Sequence, residues 1–267
     1  MPETHRLKPG KKIRIADLST RGRDFMDDRD AAEKEFKKLR IQLAEWQNRL
    51  YSESKQKLLI VLQAMDAGGK DGTIRKVFQG VNPQGVRVSS FKKPTGEELA
   101  HDFLWRIHKQ VPAKGMIRVF NRSHYEDVLV VRAHNFVPQS VWEPRFDRIN
   151  EFEELLTNSG TRILKFFLHI SLDEQKERFQ DRIDIPEKNW KFDADDLNKR
   201  KLWPAYMEAF EDVLNRTNTD AAPWYAIPAD NKWYRNLVIQ RAIVSTLEDM
   251  NPQYPTQEDD LSKIVID

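Results

Sequence analysis

Hydrophobic positions along the chain follow two alternating patterns, short continuous runs and helical spacings. The short runs are rich in β-forming residues and have the length of strands buried on both faces. They lie at residues 57–63, 86–91, 116–120, 163–170 and 224–227. Because helical patterns separate these runs, we predict an α/β fold in which helices cover both faces of a parallel sheet.

Helical spacing is clearest over residues 30–51, where apolar residues recur at intervals of three and four and define one face of a long helix. These residues are Phe36, Leu39, Leu43, Trp46 and Leu50. Residues 139–158 and 200–217 also predict helices. Residues 183–199 are polar and contain a proline, so they predict either a mobile lid or an ordinary surface connection.

Two segments carry the spacing of a capping box, in which a hydroxyl residue and a glutamate three positions later begin a helix. The first, from Thr95 to Glu98, should open a helix that continues to Ile107. The second runs from Ser171 to Glu174. Both segments precede helical patterns, as the predicted alternation requires.

The pattern divides the chain into three parts. Residues 1–29 are polar and predict an extended arm, and residues 30–250 contain all the predicted strands and helices of one domain. Residues 251–267 are rich in proline and acidic residues and predict a tail.

Composition narrows the class of protein. The chain has 267 residues, and its 44 Lys and Arg nearly balance its 42 Asp and Glu, which disfavours a general nucleic-acid-binding role. It has no cysteine, so disulfides and thiolate chemistry are excluded. No secretory signal and no apolar run approaching a membrane span is present, so we expect a cytoplasmic protein without membrane contact.

The first strand leads into a glycine-rich turn, residues 64–73, that resembles the phosphate-binding loop G-x-x-x-x-G-K-[ST]. Ala64 occupies the first glycine position, Gly69 and Lys70 are in register, and Asp71 replaces the hydroxyl residue. Such a loop turns backbone N–H groups and a helix N-terminus toward an anion. The predicted phosphate-binding residues here are Ala67, Gly68, Gly69, Lys70, Asp71, Gly72 and Thr73. The alternative is a glycine-rich strand-to-helix turn without a ligand.

Carboxylates in and near this turn predict a divalent metal site. Asp71 stands where a hydroxyl residue ordinarily takes part in Mg²⁺ binding, and Asp66 is a second oxygen ligand or a base. Glu126 and Asp127 follow the third strand and are further candidate ligands. They could equally serve as acidic residues in the first turn of a helix.

Basic residues form the third group of candidates. Arg122 follows the third strand at Asn121 and should face phosphate, while Arg178 and Arg182 share one helix face near the candidate lid. Further candidates are Arg75, Arg132 and Lys191. For each of these the alternative is a solvated surface position. The histidines show no metal-ligand spacing and are expected to be structural.

The combination of motifs is more specific than any one of them. QAMDAGGKDGTIRKVFQGVNPQGV at 63–86, FNRSHYEDVLVVR at 120–132, RIDIPEKNWKF at 182–192 and APWYAIPADNKWYRN at 222–236 are similar to the polyphosphate kinase 2 family, within the thymidylate kinase-like P-loop group. The resemblance implies a three-layer αβα sandwich with a five-stranded parallel sheet. It also implies a helical lid at about 178–199 and an N-terminal helical extension.

The same resemblance implies an activity, the direct in-line transfer of the terminal phosphate of inorganic polyphosphate to AMP and ADP. Asp66, Lys70, Arg122 and Arg182 match catalytic positions of that family. Asn121 resembles the subgroup that uses both acceptors, since members acting on diphosphates tend to carry Asp there. The expected cofactor is Mg²⁺, with Mn²⁺ as the alternative, and relatives suggest a homo-oligomer.

Two other functions fit parts of the sequence. A nucleoside monophosphate kinase with ATP as donor would share the loop and the lid. A GTPase-type switch is disfavoured, because Asn231-Lys232-Trp233-Tyr234 has Tyr where the base-reading motif requires Asp.

Overall fold

Five parallel strands form one sheet in the order β2–β3–β1–β4–β5. The computed structural model describes residues 4–256. The strands are β1 (Lys57–Gln63), β2 (Val86–Ser90), β3 (Ile117–Asn121), β4 (Thr161–His169) and β5 (Trp224–Pro228). All five predicted strands are therefore confirmed, with each end within two residues of its predicted position.

Helices cover both faces of this sheet. They are α1 (Arg29–Glu53), α2 (Lys70–Val77), α3 (Gly96–Leu99), α4 (Trp105–His108), α5 (Glu126–Ala133), α6 (Gln139–Trp142), α7 (Arg145–Asn158), α8 (Leu172–Asp184), α9 (Pro186–Asn189), α10 (Asp195–Lys201), α11 (Trp203–Arg216) and α12 (Lys232–Met250). Within residues 4–256, no helix combines the length and apolar character needed to cross a bilayer.

Alternate residues of the central strand β1 point into two separate cores. Leu59 and Val61 pack in a cluster with residues of α5, α7 and α11. Leu58 and Ile60 pack in a second cluster with residues of α1, α2 and α12. All four side chains are fully buried, as expected for a strand between two helical layers. The predicted three-layer αβα fold is confirmed.

Two predicted helices are each divided in two. Beyond α3, the Asp102 carboxylate accepts the Leu104 N–H at 2.9 Å, so the chain turns before α4 begins. Pro144 separates α6 from α7, because proline cannot donate a helical hydrogen bond. The helix predicted over residues 200–217 is confirmed as α11, with Pro204 in its first turn.

Of the two predicted capping boxes, one forms completely. At α3, Thr95 and Glu98 exchange both expected hydrogen bonds. At α8, Ser171 caps the helix by accepting the Glu174 N–H, but the return bond is replaced. The Ser171 N–H donates instead to Asp230 at 2.8 Å. Glu174 is thereby available to bind Arg178.

The predicted N-terminal arm covers the β5 edge of the sheet. The Leu7 N–H donates to Trp224 at 2.8 Å, and the Ala226 N–H donates to His5 at 3.0 Å, which makes an antiparallel pairing. Residues 1–3 of the arm and 257–267 of the predicted tail lie outside the described residues. The pairing satisfies backbone groups that an edge strand would otherwise expose.

The attachment of this arm should depend on pH. His5 packs edge-on against Phe25 and Tyr234, and burial lowers its pKa from 6.5 to about 4. The folded protein therefore prefers neutral His5, so its contribution is complete above pH 6.5 and is lost as pH falls toward 4. We expect the Leu7 and Ala226 amides to exchange hydrogen faster at pH 5 than at pH 7.5, after correction for intrinsic rates.

The central strands supply an internal reference for this measurement, since the Leu58 amide should keep its corrected protection at both pH values. A His5→Gln variant should lose the pH dependence at the arm. Equal corrected rates at both pH values in the unsubstituted protein would contradict the assignment.

Candidate active site

The turn between β1 and α2 has the backbone of an anion-binding loop. Ala67 and Gly69 adopt left-handed conformations, with φ of 60° and 99°, and α2 begins at Lys70. A Cβ at position 68 would meet the Met65 carbonyl oxygen at 2.8 Å, so Gly68 is required by close packing. The structure thus forms the concave turn and helix N-terminus predicted from the sequence.

Lys70 folds back over this loop. Its Nζ donates to the Ala64 carbonyl at 3.0 Å, and its side chain is buried. Burial is the main cause that lowers the Lys70 pKa. Carbonyl oxygens therefore hold the ammonium group at the loop. A phosphate would bind this group more strongly than a carbonyl does, because the phosphate carries negative charge.

The carboxyl end of β3 brings a second group of residues beside the loop. Asn121 pairs in register with Leu62 of β1, and its Nδ2 donates to Asp71 at 2.6 Å. The next residue, Arg122, has a left-handed φ of 63° and donates from Nη2 to Asp66 at 2.8 Å. Parallel strands that end at one edge of a sheet account for this convergence.

Electrostatic interactions among these residues favour the ionised form of Asp66 and the charged form of Arg122. Burial alone would raise the Asp66 pKa, but Lys70, Arg122 and Lys199 outweigh it and lower the pKa below its ordinary value. The Arg122 pKa is raised, chiefly by Glu126. The site thus holds an ionised Asp66 beside a permanently charged guanidinium.

Glu126 and Asp127 open α5, and their carboxylates face different partners. Glu126 accepts from Gln63 Nε2 at 3.0 Å and lies 4.0 Å from Arg122. Asp127 lies 3.3 Å from an Arg145 nitrogen. Burial raises the Asp127 pKa to about 6, although nearby arginines oppose that shift. Glu126 therefore belongs to the Arg122 group, whereas Asp127 is engaged by arginines.

The four carboxylates predicted as metal ligands do not form a cage. Across residues 4–256, no cluster of three or more acidic or histidine residues is arranged to hold a metal ion. Asp71 is exposed and accepts from the neutral Asn121 amide, so its carboxylate retains free oxygen lone pairs. Because Mg²⁺ ordinarily binds one or two carboxylates together with substrate phosphates, this donor set fits Mg²⁺ that arrives with a phosphate ligand.

Residues of α8 to α10 form the candidate lid, and one of their contacts with the loop is made by Lys199, which sequence analysis missed. Lys199 Nζ lies 3.5 Å from Asp66 and 3.3 Å from Asp196. Asp196 also accepts from Arg182 at 2.9 Å. Lys191 is exposed beside the Trp190 ring. In this state, carboxylates neutralise the lid cations Arg182 and Lys199.

Four other predicted phosphate ligands differ from one another in their burial and in their hydrogen-bond partners. Arg178 is buried under the loop, where it donates to the Ala67 carbonyl at 2.9 Å. Arg75 is exposed in the last turn of α2. Thr73 is buried, and its hydroxyl has no hydrogen-bond partner among the described residues. Arg132 pairs with Asp212 and Glu208 of α11, so carboxylates of that helix engage its guanidinium group.

A cavity of about 540 Å³ opens beside Asp66 and Arg122. Phe91, Phe136 and Tyr206 contribute aromatic surface to its walls, and Lys92 and Lys93 contribute positive charge. The volume and the mixture of apolar walls with a few charged groups suit a small organic ligand. None of these wall residues was identified from the sequence, because each lies outside the recognised motifs.

A buried polar network supports the turn after β3. Lys165 Nζ donates to Glu153 at 2.6 Å, to the Tyr125 hydroxyl at 2.9 Å and to the Thr217 carbonyl at 2.7 Å. Tyr125 also donates to Glu153, and His124 Nε2 lies 3.2 Å from the same carboxylate. Glu153 is therefore an anchor for the turn that carries Arg122.

The predicted structural role of the other histidines agrees with their surroundings. His134 Nε2 lies 3.0 Å from the Tyr206 hydroxyl, and His169 is buried at the end of β4. His101 stacks on Trp105, and His108 meets the Phe152 ring. Each of these four histidines therefore contacts an aromatic side chain of the protein.

Comparison with known proteins agrees with this arrangement. The family model described as Polyphosphate kinase 2 (PPK2) matches residues 26–255. The chain is 58% identical over 229 residues to an "AMP/ADP-polyphosphate phosphotransferase" of Meiothermus ruber, covering 86% of each chain. It is 43% identical over 262 residues to an "ADP-polyphosphate phosphotransferase" of Rhodopseudomonas palustris, covering 94% of this chain and 91% of that one.

A solved structure shows the same fold. The crystal structure of polyphosphate kinase 2 from Arthrobacter aurescens superposes with a TM-score of 0.93 at 39% sequence identity. The match covers 98% of this chain and 94% of the other.

Proposed function

The chain belongs to the polyphosphate kinase 2 family, and from this premise we propose that it transfers the terminal phosphate of inorganic polyphosphate to AMP and ADP, producing ADP and ATP. The observation that carries the proposal is the meeting of a phosphate-binding loop with Asp66 and Arg122 at the mouth of the cavity. The similarity to a relative named for both acceptors supports the dual specificity.

In the proposed reaction, the acceptor nucleotide occupies the cavity and directs its phosphate toward Arg122. The aromatic residues Phe91 and Tyr206 would pack against the nucleoside, and Lys92 would contribute positive charge at the wall. The donor polyphosphate would end at the loop. This arrangement places donor and acceptor on either side of Asp66.

The chemical step is an in-line displacement without a covalent protein intermediate. Lys70 and Arg122 bind the non-bridging oxygens of the transferred phosphoryl group and offset its charge, while Asp66 orients the acceptor through Arg122. Arg182 joins them after it exchanges Asp196 for phosphate. Asp71 would hold Mg²⁺, which would further neutralise phosphate charge.

The test of this function is ATP formation from ADP, and separately from AMP, with long-chain polyphosphate and Mg²⁺ as the sole donor mixture. ATP from both acceptors is the expected result. ATP from ADP alone would retain the polyphosphate activity and remove the dual specificity. If polyphosphate yields no ATP while ATP and AMP together yield ADP, the monophosphate kinase alternative holds instead.

Acceptor choice should change in an Asn121→Asp variant. Asn121 donates to Asp71 at 2.6 Å, so a carboxylate at position 121 would lose this bond and repel Asp71 and nearby phosphates. Because family members that act on diphosphates tend to carry Asp at this position, we expect the ratio of AMP to ADP phosphorylation, taken from kcat/KM values, to fall at least about fivefold, a difference of roughly 1 kcal/mol.

The same charge added elsewhere serves as the matched control. Asn158 is exposed at the end of α7, before β4 and therefore at the opposite edge of the sheet from the loop. Asn158→Asp should leave the acceptor ratio unchanged. An unchanged ratio in Asn121→Asp would contradict the role of residue 121.

We further propose that the enzyme acts as a homo-oligomer in the cytoplasm. The oligomer follows from the family resemblance, and light scattering of the purified protein at several concentrations tests it. A mass of a single chain at all concentrations would exclude it.

A further inference from the structure

Buried cations in the described part of the chain divide into two groups. Five Lys and Arg side chains are nearly inaccessible: Lys70, Arg106, Lys165, Arg178 and Arg235. Three of them pair with carboxylates, Arg106 with Glu98, Lys165 with Glu153 and Arg178 with Glu174. Within residues 4–256, Lys70 and Arg235 have no ion-pair partner. Both lie at the phosphate-binding loop.

Arg235 belongs to the first turns of α12 and is 3% exposed. Its guanidinium group occupies the space beside Gly69, because a Cβ at position 69 would overlap Nη1. Its Nε and Nη2 are both directed to Asn236 Oδ1, at 3.2 and 3.0 Å. No described residue accepts a hydrogen bond from Nη1. A nearly buried guanidinium is thus aimed at the loop with a donor unused.

An unpaired buried charge is unfavourable, and removal of its partner ordinarily destabilises a protein strongly. Burial, followed by the neighbouring Arg178, lowers the Arg235 pKa to about 9, and Glu174 offsets this only in part. An anion bound at the loop would compensate the charge. The N-terminus of α2 favours the same kind of ligand.

We propose that Arg235 is a phosphate ligand which, with Lys70 and the loop N–H groups, binds a phosphoryl group of the polyphosphate donor. The assignment rests on the proposed function. Phosphate chains also occur in nucleotides, but Arg235 and Gly69 are not among the residues that line the cavity, whereas Asp66 and Arg122 are. Arg235 therefore lies on the donor side of the loop.

Arg235→Met tests the proposal, because Met keeps most of the side-chain volume and removes the charge. Without ligand, the variant should melt at the same temperature as the unsubstituted protein or higher, since an unpaired buried charge is lost. Its rise in melting temperature with polyphosphate should be at least halved, and its KM for polyphosphate should rise about tenfold or more. The KM for ADP should stay within twofold.

The matched control is Arg241→Met on the same helix, since Arg241 pairs with Glu35 of α1, away from the loop. It should retain both KM values. If Arg235→Met does not fold, Arg235→Lys decides, because Lys keeps the charge but cannot reproduce the planar donor group. We expect Arg235→Lys to raise the KM for polyphosphate at least threefold without changing the KM for ADP.

An unchanged KM for polyphosphate in these variants would overturn the proposal. A KM increase for ADP alone would assign Arg235 to the acceptor and overturn the donor assignment. The proposed function itself is judged on the unsubstituted protein, which must make ATP from polyphosphate and melt at higher temperature in its presence. Failure of Arg235 as a ligand is thus distinguishable from failure of the function.

Discussion

Lys70→Ala should lower kcat/KM for ATP formation from polyphosphate and ADP by about 10³-fold or more. Removing one preorganised charge-stabilising donor costs enzymes about 10²–10³ in rate, and Lys70 carries a full charge. The ammonium group is buried at the loop, where no other described lysine reaches the Ala64 carbonyl. Initial-rate assays over a range of polyphosphate concentrations measure the effect.

Lys55→Ala is the matched control for this variant. Lys55 is exposed before β1, at the end of that strand opposite the loop, so its removal takes away the same charge without touching the site. We expect an unchanged kcat/KM. A loss below about tenfold in Lys70→Ala would contradict the role of this residue in the transition state.

Lys165→Met should reduce the free energy of unfolding by about 3–5 kcal/mol, because it leaves Glu153 charged and without its cation in the core. The pair is fully buried, with side-chain exposures of 0% and 2%. The Glu153 pKa is lowered despite burial, through Lys165 and His124, which indicates that the carboxylate is ionised. Urea denaturation at pH 7, followed by far-UV circular dichroism, measures the loss.

An exposed pair supplies the comparison. Arg148 and Glu151 lie 2.6 Å apart on the surface of α7, and Arg148→Met should change the unfolding free energy by less than about 1 kcal/mol. Adding Glu153→Gln to Lys165→Met should recover part of the loss, since Gln keeps an acceptor for Tyr125 and carries no charge. Equal losses in the single and double variants would show that no uncompensated carboxylate is responsible.

The strands were predictable because each is a short apolar run buried between two helical layers. In β1, for example, Leu58 to Leu62 are all buried, so the strand appears in the sequence as a continuous apolar run and not as alternating apolar and polar residues. Helix ends were less predictable. The turn at Asp102 depends on a local hydrogen bond, and the break at Pro144 depends on the missing N–H of proline. Neither feature interrupts the spacing of apolar residues that predicts a continuous helix.

The core of the site was predictable for a topological reason. Asp66 and Arg122 follow neighbouring parallel strands, Asn121 is the last residue of one of them, and the carboxyl ends of such strands meet. Lys199 and Arg235 reach the loop from distant parts of the chain, through side-chain directions that sequence spacing does not encode. The network of Lys165 and Glu153 was missed because both residues lie in segments whose pattern predicts only a strand and a helix.

The packing of Arg235 on Gly69 also bears on how sequences of this family can diverge. The guanidinium group occupies the volume that a side chain at position 69 would need, and the left-handed φ of 99° independently strains any residue other than glycine there. Shortening residue 235 alone should therefore not admit alanine at position 69. In a library randomised at both positions, functional clones should accordingly retain glycine at 69, whichever residue stands at 235.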